Sequence, residues 1–227
     1  DGWGELESIS SENTNAVAAA NLAINGKDNV NDVLLGGVGN DTINGYSGAD
    51  TMTGGTGNDS YTVDNIGDRV IETSTLATEI DSVTSTISYT LPANVENLFL
   101  SLESTDINAI NATGNNQNNT LIGNGLANIL DGGRGVDIMD GGDGNDTYIV
   151  DNINDVVTEE WGDAQAGVDT VRSYVSYSLS DNIENLTLVG TGTAKTNAIG
   201  NALNNTLIGN SAANNLIGNA GADKLRG

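Results

Sequence analysis

The sequence predicts an all-β fold, a parallel solenoid of short stacked strands, and three observations carry that prediction. Residues 36–62 are three nonapeptides laid end to end, GGVGNDTIN, GYSGADTMT and GGTGNDSYT, with Gly at the first and fourth places, Asp at the sixth and a bulky apolar residue at the eighth. Nonapeptides recur later in the chain, and their eighth places are again apolar throughout: Leu121, Leu130, Met139, Tyr148, Leu207, Leu216 and Leu225. The stretches between them alternate β-branched or apolar with polar residues and lack the helical period of an amphipathic helix. Composition agrees. With 4% aromatic residues, one Pro and 37% hydrophobic content, the chain can fill a thin apolar stripe better than a large globular core.

Taken in order, residues 1–25 form an irregular N-terminal segment or preceding rung. The opening DGWGELES is acidic and turn-like, and NAVAAANLAING could pass for a short helix. A rung is the preferred reading, because LAING resembles NAIGN at 197–201 and leads into the repeats in the same way. Residues 26–35, GKDNVNDVLL, read as a nonapeptide with one inserted residue, placing Asp32 at the carboxylate position and Leu34 at the core position. The array then runs to residue 62, followed by YTVDNIGDRVIE, DSVTSTISYTL, VENLFLSL and INAINATG, which read as strands with longer connections. These are expected to continue the same solenoid rather than pack as a separate lobe.

The whole succession then repeats. Tyr61 in NDSYTVDN matches Tyr148 in NDTYIVDN, a shift of 87; DSVTSTISYTL matches DTVRSYVSYSL at a shift of 88; NNTLIGN at 118–124 recurs at 204–210, a shift of 86. The chain is therefore read as a first unit at 26–113, a second at 114–199 and the start of a third at 200–227. Within each unit the repeats have two grades. Residues 114–131 and 200–217 carry Asn at the sixth place (Asn119, Asn128, Asn205, Asn214), whereas 132–149 and 218–226 carry Asp137, Asp146 and Asp223.

Six Gly-rich residues make a tight turn, because Gly enters positive φ without steric cost. Such a turn directs backbone carbonyls inward, and an Asp at its end adds a charged oxygen. Oxygen donors of this kind suit a hard cation such as Ca²⁺. The pattern is the G-G-x-G-x-D-x-U-x repeat, and on it the chain resembles the RTX, or haemolysin-type, calcium-binding proteins. The resemblance implies a parallel β-roll, a right-handed β-helix in which two nonapeptides make one coil and each ion sits between neighbouring turns on one edge.

Turns on one edge should then recur at twice the nonapeptide length, and the acidic residues keep that spacing. Asp32 and Asp50, Asp41 and Asp59, Asp50 and Asp68, and Asp137 and Asp155 each differ by 18. So do Asn119 and Asp137, Asn128 and Asp146, and Asn205 and Asp223. Asp68 and Asp155, outside the nonapeptides, are expected to close the last site on their edge. The remaining candidate metal residues are the turn glycines Gly36, Gly39, Gly45, Gly48, Gly54, Gly57, Gly132, Gly135, Gly141, Gly144, Gly218 and Gly221. The Asn-bearing turns would either bind calcium more weakly, lacking charge, or hold no ion and form a hydrogen-bonded ladder. Counting both grades gives about five to seven ions, in the sub-millimolar to millimolar range of extracellular modules.

Other conspicuous residues have plainer readings. Asp64, Asp151, Glu72 and Glu159 are expected to cap turns or line a solvated edge, and Glu96 and Glu184 to lie on the surface. Trp3, Trp161, Tyr89 and Tyr177 are read as core or edge packing rather than a sugar platform.

Seven Lys and Arg against 31 Asp and Glu give a net charge of −24, which opposes nucleic acid or an anionic membrane as partner. No apolar run is long enough to span a membrane, so no membrane insertion is expected. The chain has no Cys and no His, which removes disulfides, thiolate or imidazole zinc sites and a Ser-His triad, and no carboxylate pair is marked for acid–base work, so no enzyme is expected here. The resemblance implies export through type I secretion machinery, an extracellular location, and a secretion signal beyond the repeats. Because the sequence stops at Gly227 as another repeat would begin, it is read as a piece of a larger secreted protein. The expected function is an extracellular calcium-binding module whose folding is driven by Ca²⁺; about six divalent ions would neutralise roughly half of the net charge. The alternative is an adhesive or polysaccharide-binding module of a large adhesin at a cell surface, with calcium as scaffold.

Overall fold

The computed structural model describes residues 23–27, 29–101, 110–159, 167–191 and 195–227. Trp3, Trp161 and most of the N-terminal segment lie outside these residues. The chain divides into two compact units, residues 1–101 and 102–227. All described regular structure is β, and every strand pairing given below is parallel. No helix long and apolar enough to cross a membrane occurs among the described residues.

A nonapeptide spends six residues on its turn and leaves three for a strand, so the strands are short. In the first unit they are β1 (Ala23–Asn25), β2 (Val33–Val38), β3 (Thr42–Asn44), β4 (Thr51–Thr56), β5 (Ser60–Val63), β6 (Arg69–Ile71), β7 (Ser82–Ser85), β8 (Tyr89–Thr90) and β9 (Asn97–Leu100). Alternate strands share a sheet: β1-β3-β5-β7-β9 form one and β2-β4-β6 the other. Two nonapeptides therefore make one coil, with one strand on each side. β1 makes the end of the LAING segment a rung of this stack. β7 and β9 show the long strands continuing it.

The second unit contains β10 (Ala112–Thr113), β11 (Thr120–Ile122), β12 (Ile129–Asp131), β13 (Ile138–Asp140), β14 (Thr147–Val150), β15 (Val156–Thr158), β16 (Thr170–Ser173), β17 (Tyr177–Ser178), β18 (Asn185–Leu188), β19 (Thr196–Ile199), β20 (Thr206–Ile208), β21 (Asn214–Ile217) and β22 (Lys224–Arg226). Its sheets are β10-β12-β14-β16-β18-β20-β22, β11-β13-β15 and β17-β19-β21.

The eighth-place side chains stack in register. Ile24, Ile43, Tyr61, Val83 and Leu98 form one column and Leu34, Met52 and Val70 the facing one. Ala112, Leu130, Tyr148, Val171, Leu186 and Leu207 form the long column of the second unit. All of these are buried, so each coil buries its apolar stripe against its neighbours'. Two eighth-place residues depart from the continuous core that the sequence suggests. Leu225 is 50% exposed, and Leu216 is only partly covered. Leu225 stacks on Leu207, and Leu216 on the small Ala198.

The register also shows what lies between nonapeptide arrays. Tyr61 pairs with Val83 and Val83 with Leu98, so one coil is longer than the nonapeptide coil and the next is shorter. Tyr148 pairs with Val171 and Val171 with Leu186, the same long-then-short succession. The strand ladder continues in register across both steps.

Candidate metal centres

Every pair identified by the doubled nonapeptide spacing lies on adjacent coils, joined by a hydrogen bond from the backbone of one residue to the side chain of the next. The Asp32 N–H donates to Asp50 Oδ1 at 2.7 Å, Asp50 to Asp68 at 3.0 Å, Asp41 to Asp59 at 2.7 Å and Asp137 to Asp155 at 3.1 Å. The mixed pairs follow suit, with Asn119 to Asp137 at 2.8 Å, Asn128 to Asp146 at 2.7 Å and Asn205 to Asp223 at 2.9 Å. One carboxylate oxygen of each acceptor is thereby used. The other often is not. Asp50, Asp59, Asp137 and Asp146 each bury Oδ2 with no hydrogen-bond partner in the protein. A buried carboxylate oxygen without a donor carries a desolvation cost that a cation would remove.

The two glycine places explain how these oxygens fit. A Cβ at the first place (Gly36, Gly45, Gly54, Gly132, Gly141, Gly218) would strike Oδ2 of the repeat's own Asp. A Cβ at the fourth place of Gly48, Gly57, Gly135, Gly144 or Gly221 would strike a backbone carbonyl oxygen of the preceding coil. Gly39 and Gly57 also hold φ of 116° and 122°, where an L side chain is strained. The glycines thus clear a space into which a carboxylate oxygen and a carbonyl oxygen both face. That donor set suits Ca²⁺, which takes carboxylate and backbone oxygens.

Asp68 and Asp155 are more fully occupied. Besides Oδ1, their Oδ2 atoms accept N–H groups from Asp64 and Asn65, and from Asp151 and Asn152, respectively. They finish their edges by capping their own turns. Asp64 and Asp151 themselves are exposed, in keeping with a solvated edge.

Asn-bearing turns satisfy themselves in another way. Asn128 Oδ1 accepts the Asn124 N–H at 2.8 Å, while its Nδ2 donates to the Ile110 carbonyl on the coil before at 2.6 Å. Asn205 Oδ1 accepts the Asn201 N–H, and its Nδ2 donates to the Ile183 carbonyl at 3.1 Å. Asn214 Nδ2 reaches the Thr196 carbonyl at 3.3 Å. Side chain-to-backbone bonds therefore link these coils.

Two larger clusters were not visible from the spacing. Asp59, Glu72 and Asp81 are all buried and bring carboxylate oxygens within 4.8 Å of one another, and Asp146, Glu159 and Asp169 do the same. Glu72 caps its turn as expected, one oxygen accepting the Thr73 and Ser74 N–H groups, but neither it nor Glu159 lies on a solvated edge, each being 7% exposed. The reason is the rung that follows the array, which folds its Glu inward beneath the last nonapeptide. Asp81 and Asp169 continue the acidic ladder, accepting N–H bonds from Asp59 and Asp146 across sequence separations of 22 and 23. A search at a fixed separation of 18 passes over them. Glu96 and Glu184, expected on the surface, are half-buried and extend the ladder by one more coil, accepting the N–H of Asp81 and Asp169 at 2.9 Å. Tyr89 and Tyr177 pack as expected, the Tyr177 hydroxyl accepting the Val157 N–H.

Electrostatics mark the same residues. Burial pushes the Asp59 and Asp169 carboxyls up to about 6, Asp81, Asp137 and Asp146 to about 7, and Glu159 to about 8; neighbouring carboxylates add to the rise and hydrogen bonds oppose it.

A parallel β-solenoid whose stacked Gly turns converge buried carboxylate and carbonyl oxygens is a cation-binding β-roll. Residues 28–61, 113–148 and 199–227 match the model of the RTX calcium-binding nonapeptide repeat family (4 copies). The chain carries RTX calcium-binding repeats. No curated protein matches it. The matched segments end at Tyr61 and Tyr148, so Glu72, Asp81, Glu159 and Asp169 all lie outside them.

Protonation and the Asn geometry set two expected outcomes. In chelator, the raised carboxyls bind more protons folded than unfolded, so their contribution to stability is full below about pH 4 and lost as pH rises through about 6–8. Calcium requires these groups ionised, so its affinity should fall as pH drops below about 7. Thermal unfolding across this range should therefore show the calcium-induced rise in Tm growing with pH. Asn128→Asp should replace the donor facing the Ile110 carbonyl with a buried charge, costing about 1–3 kcal/mol in chelator. Added calcium should recover most of that loss, as denaturant unfolding with and without the ion would show.

Proposed function

We propose that this chain is an extracellular calcium-folded β-roll, a segment of a protein exported by type I secretion machinery, whose structural state is set by the calcium outside the cell. The observation that carries this reading is the row of buried carboxylate oxygens, at Asp50, Asp59, Asp137, Asp146 and Asp169, that have no donor in the protein. With a net charge of −24, the chain repels its own compact state until cations arrive. Low aromatic content and 30 Gly leave little to offset the ordering entropy without them. Each ion placed between coils joins two neighbours, so order spreads along the stack. Extracellular calcium would suffice for sites of modest affinity, and a calcium-poor cytosol would keep the chain exportable.

A second reading rests on the tandem arrangement. Two units with matching landmarks, Tyr61 with Tyr148 and Asp81 with Asp169, suit a stalk or adhesin, in which the folded roll presents a surface to a polysaccharide. Calcium-dependent retention on a glycan surface, measured where folding is already complete, separates this from a purely structural role.

Far-UV circular dichroism during a calcium titration, with magnesium as control, tests the main reading. A cooperative gain of β signal with calcium alone is expected. A fully folded spectrum in excess chelator would overturn it.

A further inference from the structure

We propose that Asp59, Glu72 and Asp81, and likewise Asp146, Glu159 and Asp169, form two buried calcium sites separate in kind from the turn pairs, tighter and filled first, with Tyr61 and Tyr148 as positioning residues for the glutamates. The proposal rests on the calcium-binding reading for the identity of the cation, and on separate geometry for the sites.

The carboxylates come from three different structural sources in each unit. Asp59 and Asp146 end the turn of the last nonapeptide in an array, Glu72 and Glu159 come from the rung after it, and Asp81 and Asp169 from the next coil. The spacing agrees between the units: Glu72 follows Asp59 by the same interval as Glu159 follows Asp146, and the two Asp-to-Asp intervals differ by a single position. Independent of the clustering, Asp59, Asp146 and Asp169 are 0–1% exposed and each has a buried Oδ2 with no hydrogen-bond partner. A Cβ on Gly54 would strike both Asp59 Oδ2 and the Tyr61 hydroxyl, and a Cβ on Gly141 both Asp146 Oδ2 and the Tyr148 hydroxyl. The Tyr61 hydroxyl in turn donates to Glu72 Oε2 at 2.7 Å, and the Tyr148 hydroxyl donates to Glu159 Oε1.

Each tyrosine thus holds a glutamate in place without neutralising it. Tyr148 is held as well, its hydroxyl accepting the Gly141 N–H at 2.7 Å. The Thr73 and Ser74 N–H groups fix the other Glu72 oxygen at 2.7 and 3.1 Å. A carboxylate oxygen that accepts one bond keeps a lone pair for a metal. Asp81 and Asp169 are anchored in the same manner, by the Asp59 and Asp146 N–H groups. Three prepositioned carboxylates, against two in a turn pair, raise the ligand charge, and ligand charge with rigidity is what tightens Ca²⁺ sites. Tyrosine also occupies only these two eighth places, where the other repeats have Leu, Ile or Met.

Calorimetry of the full chain, freed of metal and titrated with calcium, is one half of the test; the other is terbium emission excited through tyrosine. Two ions per chain should form the tightest class. Glu72→Gln and Glu159→Gln should each weaken one of them by about tenfold or more. Asp50→Asn with Asp137→Asn should leave both and deplete the weaker class. Tyr61→Phe with Tyr148→Phe, which keeps every carboxylate, should abolish the emission of the first two terbium ions at unchanged circular dichroism in calcium. Fewer than two tight ions in the unaltered chain, two tight ions surviving both glutamine substitutions, or emission indifferent to both phenylalanines would each overturn the proposal. Folding in chelator would defeat the calcium-folding reading and leave these ion counts interpretable.

Discussion

The structure depends on one recurring contact, the backbone N–H of an acidic or Asn residue donating to the side-chain oxygen of its counterpart one coil on. That bond sets the register within an array, and it survives the longer steps to Asp81 and Asp169. It also creates a problem. With Oδ1 used to hold the neighbouring coil, Oδ2 is buried among glycines and carbonyl oxygens and, at Asp50, Asp59, Asp137 and Asp146, has nothing in the protein to donate to it. Adjacent coils repeat the problem, so like charges align along each edge. A chain that stacks its carboxylates in this way gains stability from whatever neutralises them in the folded state.

Two solutions occur in the same molecule. Where the sixth place is Asn, its oxygen accepts a backbone N–H of its own turn and its amide reaches the carbonyl of the coil before, as at Asn128 with Asn124 and Ile110. Where it is Asp, as at Asp50, Asp59, Asp137 and Asp146, Oδ2 is buried with no donor. On the calcium-folding proposal, the Asn coils close by hydrogen bonds and the Asp coils would close by ions. The number of ions, and the charge to be neutralised, would then be smaller than the number of turns. On the same proposal, the stack would have sections of order that do not wait for calcium, from which ion-dependent coils could propagate.

Much of this was legible in the sequence because the repeats are rigid in length. Gly at two places, Asp or Asn at the sixth and an apolar eighth place defined the coil, the column of core residues and the inter-coil pairs. The legible part ended where the length changed. Asp81 and Asp169 fall farther along the chain from their partners than two nonapeptides reach, although the register of Tyr61 with Val83 and of Tyr148 with Val171 leads to them directly. Glu72 and Glu159 looked like edge residues because a lone Glu after a β-branched run has no periodic signature. The signal that could have found them was Tyr61 and Tyr148 themselves, two phenols at places otherwise aliphatic, since a buried hydroxyl needs a partner.

The central claim is that cations, rather than the strand ladder alone, hold the acidic coils together. Amide hydrogen exchange, followed at the N–H groups of Asp50, Asp59, Asp137 and Asp146, tests it most directly, because these groups donate the inter-coil bonds. The account predicts strong protection in calcium, and loss of that protection in chelator before the amides of the Asn-closed coils, such as Thr206, are affected. Equal protection of the acidic amides with and without calcium would contradict it.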